Sequence, residues 1–556
     1  MEQPLDLFGL IAKLNREVVG LQRMHEEVLK NNARILEENT QLRTTNIKIL
    51  EDNAQLKQDV NDLKKEVARL KGLKGPPDIK PNAKPSGMEK GTSPKNKDKE
   101  RTRRGEKQHR VPAEDRVLQP QQVPPGSRFC GYEDYTVQDI VLKALTIRYR
   151  RARWQTPDGQ YIVAELPAGV MDHVGGELKR LILMLYHEGQ TTIPRLVEFL
   201  DAIGLDVSER KIVRVLTEEA GCFKAEAQAI LRAAFRQTAS WCSVDDTGAR
   251  HKGQNGFCTQ IGNHLFTFFA TTRSKSRINF LELLRAGYTD YVLNDEAVAY
   301  MREHNMPSWA INKLREHPAR RFADHEVWMA HLEAIGLTKA KVAPNPVQVA
   351  TESALWGSVK NHGFLQDSVI LSDDAGQFNV GIHALCWVHA ERLLHKLNFF
   401  TDDARNIKEQ VRDQIWSLYK DLKAYKEKQN AADKKALRKR FDKIFGQKTG
   451  ITAIDRLLGR LRANKPELLR ILDYPDIPLH TNGSENDIRC HVTRRKVSGT
   501  TRSDEGRDAR DAFLSLKKTC MKLDISFWDY LGDRLGILPH GAVPPLSDIL
   551  AARAAV

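Results

Sequence analysis

The sequence predicts an α/β protein whose sheet-bearing body is interrupted by long helical insertions. A small helix-turn-helix-like domain and an N-terminal parallel coiled coil precede that body. Three observations carry this reading. Every seventh residue from Leu7 to Leu70 is apolar. Two short apolar runs, near residues 241 and 369, each end in two acids and soon meet a glycine. The stretches between and beyond these runs are mostly helical in character.

The heptad repeat occupies residues 1–72. Its d positions are Leu7, Leu14, Leu21, Val28, Ile35, Leu42, Ile49, Leu56, Leu63 and Leu70, and a period of 3.5 implies a left-handed supercoil. The a positions include Asn32, Asn39, Asn46 and Asn53. A buried Asn pairs best with its symmetry mate, so this row points to a parallel, in-register homodimer. The bland alternative is one amphipathic helix packed on the body.

Residues 73–128 change to Pro, Gly, Lys and Arg with few large apolar side chains. Such a tract cannot bury enough surface to fold, and reads as a disordered basic linker able to grip phosphates without sequence preference. Residues 129–237 form the next expected unit. Residues 141–154 alternate enough to predict a strand, and Pro157-Asp158-Gly159 predicts a turn. Helices are expected over 176–187, 193–203 and 209–219, the last capped by Ser208. The last two are joined by a short glycine-bearing turn, and the second carries Arg210, Lys211 and Arg214, a helix-turn-helix-like pattern that suits DNA. A helical hairpin that merely packs has the same pattern.

The formal net charge of +15 in 556 residues favours a polyanionic partner, with nucleic acid first. Seven scattered cysteines without a Cys-x-x-Cys pair suggest free thiols in a reducing compartment. No apolar run approaches the ~20 residues of a membrane span, and no signal peptide is evident.

The chemistry-bearing residues lie in three places. Residues 240–248 read Ser-Trp-Cys-Ser-Val-Asp-Asp-Thr-Gly, and residues 369–376 read Val-Ile-Leu-Ser-Asp-Asp-Ala-Gly. Each is a buried-strand run stopped by acids, and a strand-end carboxylate faces the crevice where open sheets do chemistry. Residues 256–260 and 264–272 predict two further strands in a meander. Residues 480–489, His-Thr-Asn-Gly-Ser-Glu-Asn-Asp-Ile-Arg, place Glu485 in the first turn of a helix. Asp245, Asp373 and Glu485 together would offer hard oxygen ligands to divalent cations. An acid that only caps a helix is the alternative at each strand end.

Asp245-Asp246-Thr247-Gly248, Ser372-Asp373, Cys386-Trp387-Val388-His389 and residues 482–489 together resemble the DDE transposases of bacterial insertion sequences. They come nearest to insertion-sequence family sixty-six and its relatives. The resemblance covers roughly residues 130–535. It implies an RNase H-like catalytic core over 238–390 and 479–535, split by a helical insertion at 391–478 and followed by a tail at 536–556. It also implies Asp245, Asp373 and Glu485 as catalytic and metal ligands for two Mg²⁺ ions, which Mn²⁺ could replace. The implied partners are the element's terminal repeats and target DNA, bound by a homodimer or a larger assembly. Within each acid pair the first residue is the expected ligand, because successive strand residues face opposite ways and the second acid starts the turn. Glu485 is preferred to Asp487, about 200° further round the helix.

Cys386 and His389 are zinc-ligand types, but two residues fall short of a site, and use as structural groups beside the catalytic centre is the favoured reading. Only Cys130 stands where the family often carries a cysteine zinc module. Arg489, Arg494, Arg495, Lys496 and Arg502 follow Glu485 closely and are expected to meet DNA phosphates. Two functions follow: a metal-dependent transposase that cleaves and joins DNA, or a zipper-dimerised, inactive DNA-binding regulator derived from one. The presence of all three acids favours the enzyme.

Overall fold

The computed structural model describes residues 18–21, 23–35, 37–41, 44, 116–122, 124–133, 135, 137, 139–167, 173–237, 241–539 and 541–554. It divides into two units, residues 1–138 and 139–556. In the first, residues 18–21, 23–35 and 37–41 are helical, and the heptad residues Leu21, Val28 and Ile35 are exposed along that helix. The remaining heptads and most of the basic linker lie outside the described residues.

The second unit opens with a short antiparallel hairpin, β1 (Arg153–Gln155) and β2 (Tyr161–Val163), around the expected turn. The strand expected over 141–154 is therefore cut to its last residues. Its alternation signals a half-buried face, yet this stretch is almost wholly exposed and only β2 pairs with it. Helices α1 (Gly176–His187), α2 (Ile193–Ala202), α3 (Glu209–Thr217) and α4 (Gly221–Phe235) follow. The turn between α2 and α3 needs Gly204 at φ 82°, and the Ser208 hydroxyl accepts from the Lys211 amide at 3.3 Å, as an N-cap should.

The central sheet has five strands: β3 (Trp241–His251), β4 (Gln254–Gly262), β5 (Thr267–Thr272), β8 (Val369–Ser372) and β9 (Ile382–Leu385). Their order is β5-β4-β3-β8-β9, with β4 antiparallel to both neighbours and β3, β8 and β9 mutually parallel. Strand β3 does not stop at its acids. It runs on to His251, because β4 returns through Lys252-Gly253, both at positive φ, and pairs with it throughout. Only the parallel partner β8 ends at the acid pair.

Between β5 and β8 lie α5 (Arg277–Leu284), α6 (Asp295–Glu303), α7 (Ser308–Glu316), α8 (His325–Ala334) and α9 (Pro346–Asn361), with the two-residue strands β6 (Tyr291–Val292) and β7 (Arg321–Phe322). After β9 come α10 (Trp387–His395), α11 (Asp402–Glu427), α12 (Ala431–Gly446), α13 (Thr452–Ala463) and the single turn α14 (Lys465–Leu468). The chain then closes with α15 (Asn482–Ser498), α16 (Asp504–Lys522), α17 (Phe527–Arg534) and α18 (Leu546–Ala554). One apolar cluster runs from Ile182 to Leu550, so α1–α4, the sheet and α16–α18 share a core. A second cluster, from Val369 to Leu479, packs α10–α14 on the β8–β9 side. Among the described residues no helix is long and apolar enough to cross a membrane.

Candidate active site

Ser243 and Asp245 lie two residues apart on β3 and share a face, with Asp246 on the other. The Ser243 hydroxyl shares a buried 2.6 Å hydrogen bond with that of Ser484, one residue before Glu485. Because α15 packs on this face of β3 and β4, Glu485 arrives on the Asp245 side of the sheet. The parallel register pairs Ser243 with Leu371, and continuing it by two residues sets Asp373 opposite Asp245. Adjacent strands are ~4.8 Å apart, so the two carboxylates are neighbours. All three acids are half-buried.

Their electrostatics reflect this crowding. Burial pushes the Asp245 carboxyl up to about 7, and the charges of Asp373, Asp246 and Glu485 add to the rise against the Asp246 amide that donates to it. Asp245 thus senses both Asp373 and Glu485, although they lie far from it in the chain.

The neighbouring acids are engaged elsewhere. Asp246 is clasped by the Lys275 ammonium and by Gln377 Nε2 at 2.8 Å. Asp374 sits at φ 79° and accepts from Arg460 Nη2 at 2.8 Å and Asn464 Nδ2 at 3.1 Å. Asp487 is buried beneath α15, where Lys522 Nζ at 2.5 Å and Thr267 Oγ1 at 2.7 Å donate to it.

The Cys386-Trp387-Val388-His389 block ties the sheet to the start of α15. The Cys386 amide donates to Ser372 O at 2.9 Å, and its buried sulfur accepts from the Thr481 amide at 3.4 Å. Trp387 donates from its amide to Leu479 O and from its indole to Leu468 O. His389 Nδ1 lies 3.3 Å from Thr481 Oγ1, and Nε2 lies 3.4 Å from Glu485 Oε1. Burial and then Arg392 lower the His389 pKa, so the ring is neutral near pH 7. Arg392 donates to His389 Nε2 at 3.2 Å and to Glu485 Oε1 at 3.3 Å.

The expected phosphate-facing cations divide. Arg489, Lys496 and Arg502 are exposed, and Arg495 is half-buried with its guanidinium on Gly248 O. Arg494 is buried, donating to Tyr186 O at 2.8 Å and stacking 3.8 Å above the Tyr186 ring, so it fastens α15 to α1 rather than facing solvent. On α3, Arg210 is exposed, while Lys211 and Arg214 reach Glu219 and Glu218 at 3.5 and 2.8 Å. Sequence reasoning missed Ser243, Ser484, Lys275, Gln377 and Arg392. Their roles depend on contacts between residues far apart in the chain, from Lys275 with Asp246 to Ser484 with Ser243, and no local pattern signals these.

Known proteins supply the class. The profile described as the IS66 family of transposases matches residues 366–509, which span β8 to the first turns of α16 and include Asp373 and Glu485. This chain belongs to the IS66 transposase family. It is also 50% identical over 317 residues to the "Uncharacterized protein y4jO" of Sinorhizobium fredii (strain NBRC 101917 / NGR234), covering 57% of this chain and 98% of that one.

Proposed function

We propose that the chain is a DDE transposase that binds the ends of its own insertion sequence and catalyses metal-dependent DNA cleavage and strand transfer. The observation that carries this reading is the convergence of Asp245, Asp373 and Glu485, on two adjacent parallel strands and the helix laid across them. The sheet order, with only its second strand reversed, supports an RNase H-like core.

The donor set fits divalent metal. It consists of carboxylate oxygens alone, and their mutual repulsion is what a cation would relieve. Asp245, Asp373 and Glu485 would hold the two Mg²⁺ ions, which when bound activate the attacking oxygen and stabilise the leaving one. The chain's own residues do the rest. Ser243, Ser484, Cys386 and Thr481 fix α15 so that Glu485 meets the strand acids. Lys275 and Gln377 turn Asp246 out of the site. Arg392 and neutral His389 orient Glu485. Exposed Arg489, Lys496 and Arg502, with Arg495 beside them, supply cations next to the acids for DNA phosphates.

In this reading α2 and α3 form the helix-turn-helix-like reader of the element ends, with Arg210, Lys211 and Arg214 on its second helix. The exposed apolar row at Leu21, Val28 and Ile35 supports a zipper that awaits its mate. The grouping of Asp245 with Asp373 and Glu485 weighs against the inactive-regulator alternative. The test is nicking of DNA bearing the terminal repeats, in Mg²⁺, compared with Asp373→Asn. Metal-dependent nicking that the substitution abolishes supports the proposal, and wild-type protein that binds the repeats but never nicks them favours the regulator.

A further inference from the structure

A second cluster of ligand-type side chains lies on the same face of the sheet as the acids, outside the site just described. Cys258 on β4 pairs with Thr247 of β3, two residues along from Asp245, or roughly 7 Å by strand rise. Over it stand His491 of α15 and Asp511 of α16. One ligand atom from each of the three residues falls within 4.8 Å of the other two. All three are buried: Cys258 is 0% exposed, His491 2% and Asp511 5%.

Two features separate this cluster from ordinary packing. His491 Nδ1 is buried with no hydrogen-bond partner, an orphan that native cores rarely leave. Asp511 is oriented from behind, accepting from the Thr271 amide at 2.7 Å and the Thr271 hydroxyl at 3.2 Å. A carboxylate has about four lone-pair sites, so this leaves it free to ligate, and such outer hydrogen bonds are what aim a metal ligand. A small cavity bordered by Thr271, His491, Thr501 and Asp511 adjoins the cluster.

We propose that Cys258, His491 and Asp511 form a structural site for a borderline-soft divalent cation of the zinc class, stapling α15 and α16 to the sheet. Sulfur, imidazole and carboxylate suit zinc, whereas magnesium takes oxygen and avoids thiolate. Arg250, Arg495 and Arg510 also border the cavity, and a thiolate and a carboxylate together would offset the two charges of the cation beside them. Binding releases the Cys258 and Asp511 protons, if present, to solvent and needs no other reactant. His491 lies six residues after Glu485 on α15, so the staple would hold the helix that presents the third acid. This consequence rests on the proposed function, while the binding itself does not.

The test uses the full chain, purified without chelator. Elemental analysis is expected to find about one zinc per chain in the wild type and in Glu485→Gln, and less than a tenth of that in Cys258→Ala and His491→Phe. Chelation should lower the wild-type Tm, with zinc but not magnesium restoring it, and should leave the Tm of folded Cys258→Ala unmoved. A wild-type chain without zinc whose Tm ignores added zinc overturns the proposal. So does zinc retained in Cys258→Ala and His491→Phe but lost in Glu485→Gln, or stabilisation by inorganic phosphate alone through the arginines. If the variants fail to fold, the wild-type chelation experiment still decides. Zinc held here by a chain that cannot nick DNA would leave this site standing and remove the transposase reading.

Discussion

The hydroxyls of Ser243 and Ser484 meet 2.6 Å apart, 241 residues apart in sequence, and this contact brings the helix of Glu485 onto the strand of Asp245. Ser243 also donates to Gly262 O at 3.2 Å, so Ser484 is the donor between the two hydroxyls. Ser484→Ala leaves Ser243 its carbonyl partner and should cost about 1 kcal/mol in denaturant unfolding. Ser243→Ala orphans the Ser484 hydroxyl and should cost more, about 1–3 kcal/mol. Equal, additive losses in the double variant would mean that the hydroxyls are not coupled.

Asp245 makes stability and cation binding depend on pH. Its folded pKa, about 7, lies above an unfolded value of about 3.9. Its contribution is therefore full below pH ~4 and lost as pH rises through 7. Asp511, raised to about 6 by burial, slopes the same way at lower pH, so the comparison is with Asp245→Asn. At pH 8 without metal, Asp245→Asn should melt higher than the wild type, and wild-type Mg²⁺ affinity should rise from pH 6 to 8. Scanning calorimetry and titration calorimetry check the two. A variant no more stable than the wild type at pH 8 would contradict the assignment of Asp245 as the crowded acid.

Asp487 and Glu485 sit two residues apart and should fail differently. Asp487 is buried with Lys518 at 3.7 Å and Lys522 at 2.5 Å. Asp487→Asn leaves two ammonium groups short of their counter-charge and should lower stability by about 3–5 kcal/mol. Glu485→Gln, half-buried at the site, should change stability by less than about 1 kcal/mol while removing activity. Parallel denaturant curves and cleavage assays read both.

Much of the site was legible because its signals are local. Apolar runs stopped by acids located Asp245 and Asp373, and a turn-forming cluster located Glu485. What stayed hidden was long-range. Nothing near Asp246 announces Lys275 or Gln377, and Cys258, His491 and Asp511 meet only when β4, α15 and α16 pack together. Arg494 reads as one cation in a basic run, but its helix face turns it into the core. Strand β3 overran its expected end because a partner strand, not its own sequence, fixes its length.

The proposed zipper gives a prediction of assembly. Removing residues 1–72 should convert a dimer into monomers by light scattering and weaken pairing of two element ends. Replacing Asn32, Asn39, Asn46 and Asn53 by Ile should raise the melting temperature while loosening oligomer number. A truncated chain that stays dimeric with unchanged end pairing would sink this role.

The central claim is that Asp245, Asp373 and Glu485, and not their acidic neighbours, hold the metal that cleaves DNA. The most direct measurement is terminal-repeat cleavage in Mg²⁺ and Mn²⁺ by Asp245→Asn, Asp246→Asn, Asp373→Asn, Asp374→Asn, Glu485→Gln and Asp487→Asn, each compared at equal folded fraction and equal DNA occupancy. Losses of several orders of magnitude at Asp245, Asp373 and Glu485, with at most modest losses at the other three, are the predicted result. Near-normal cleavage by any of the first three, or losses as deep at their neighbours alone, would contradict the account.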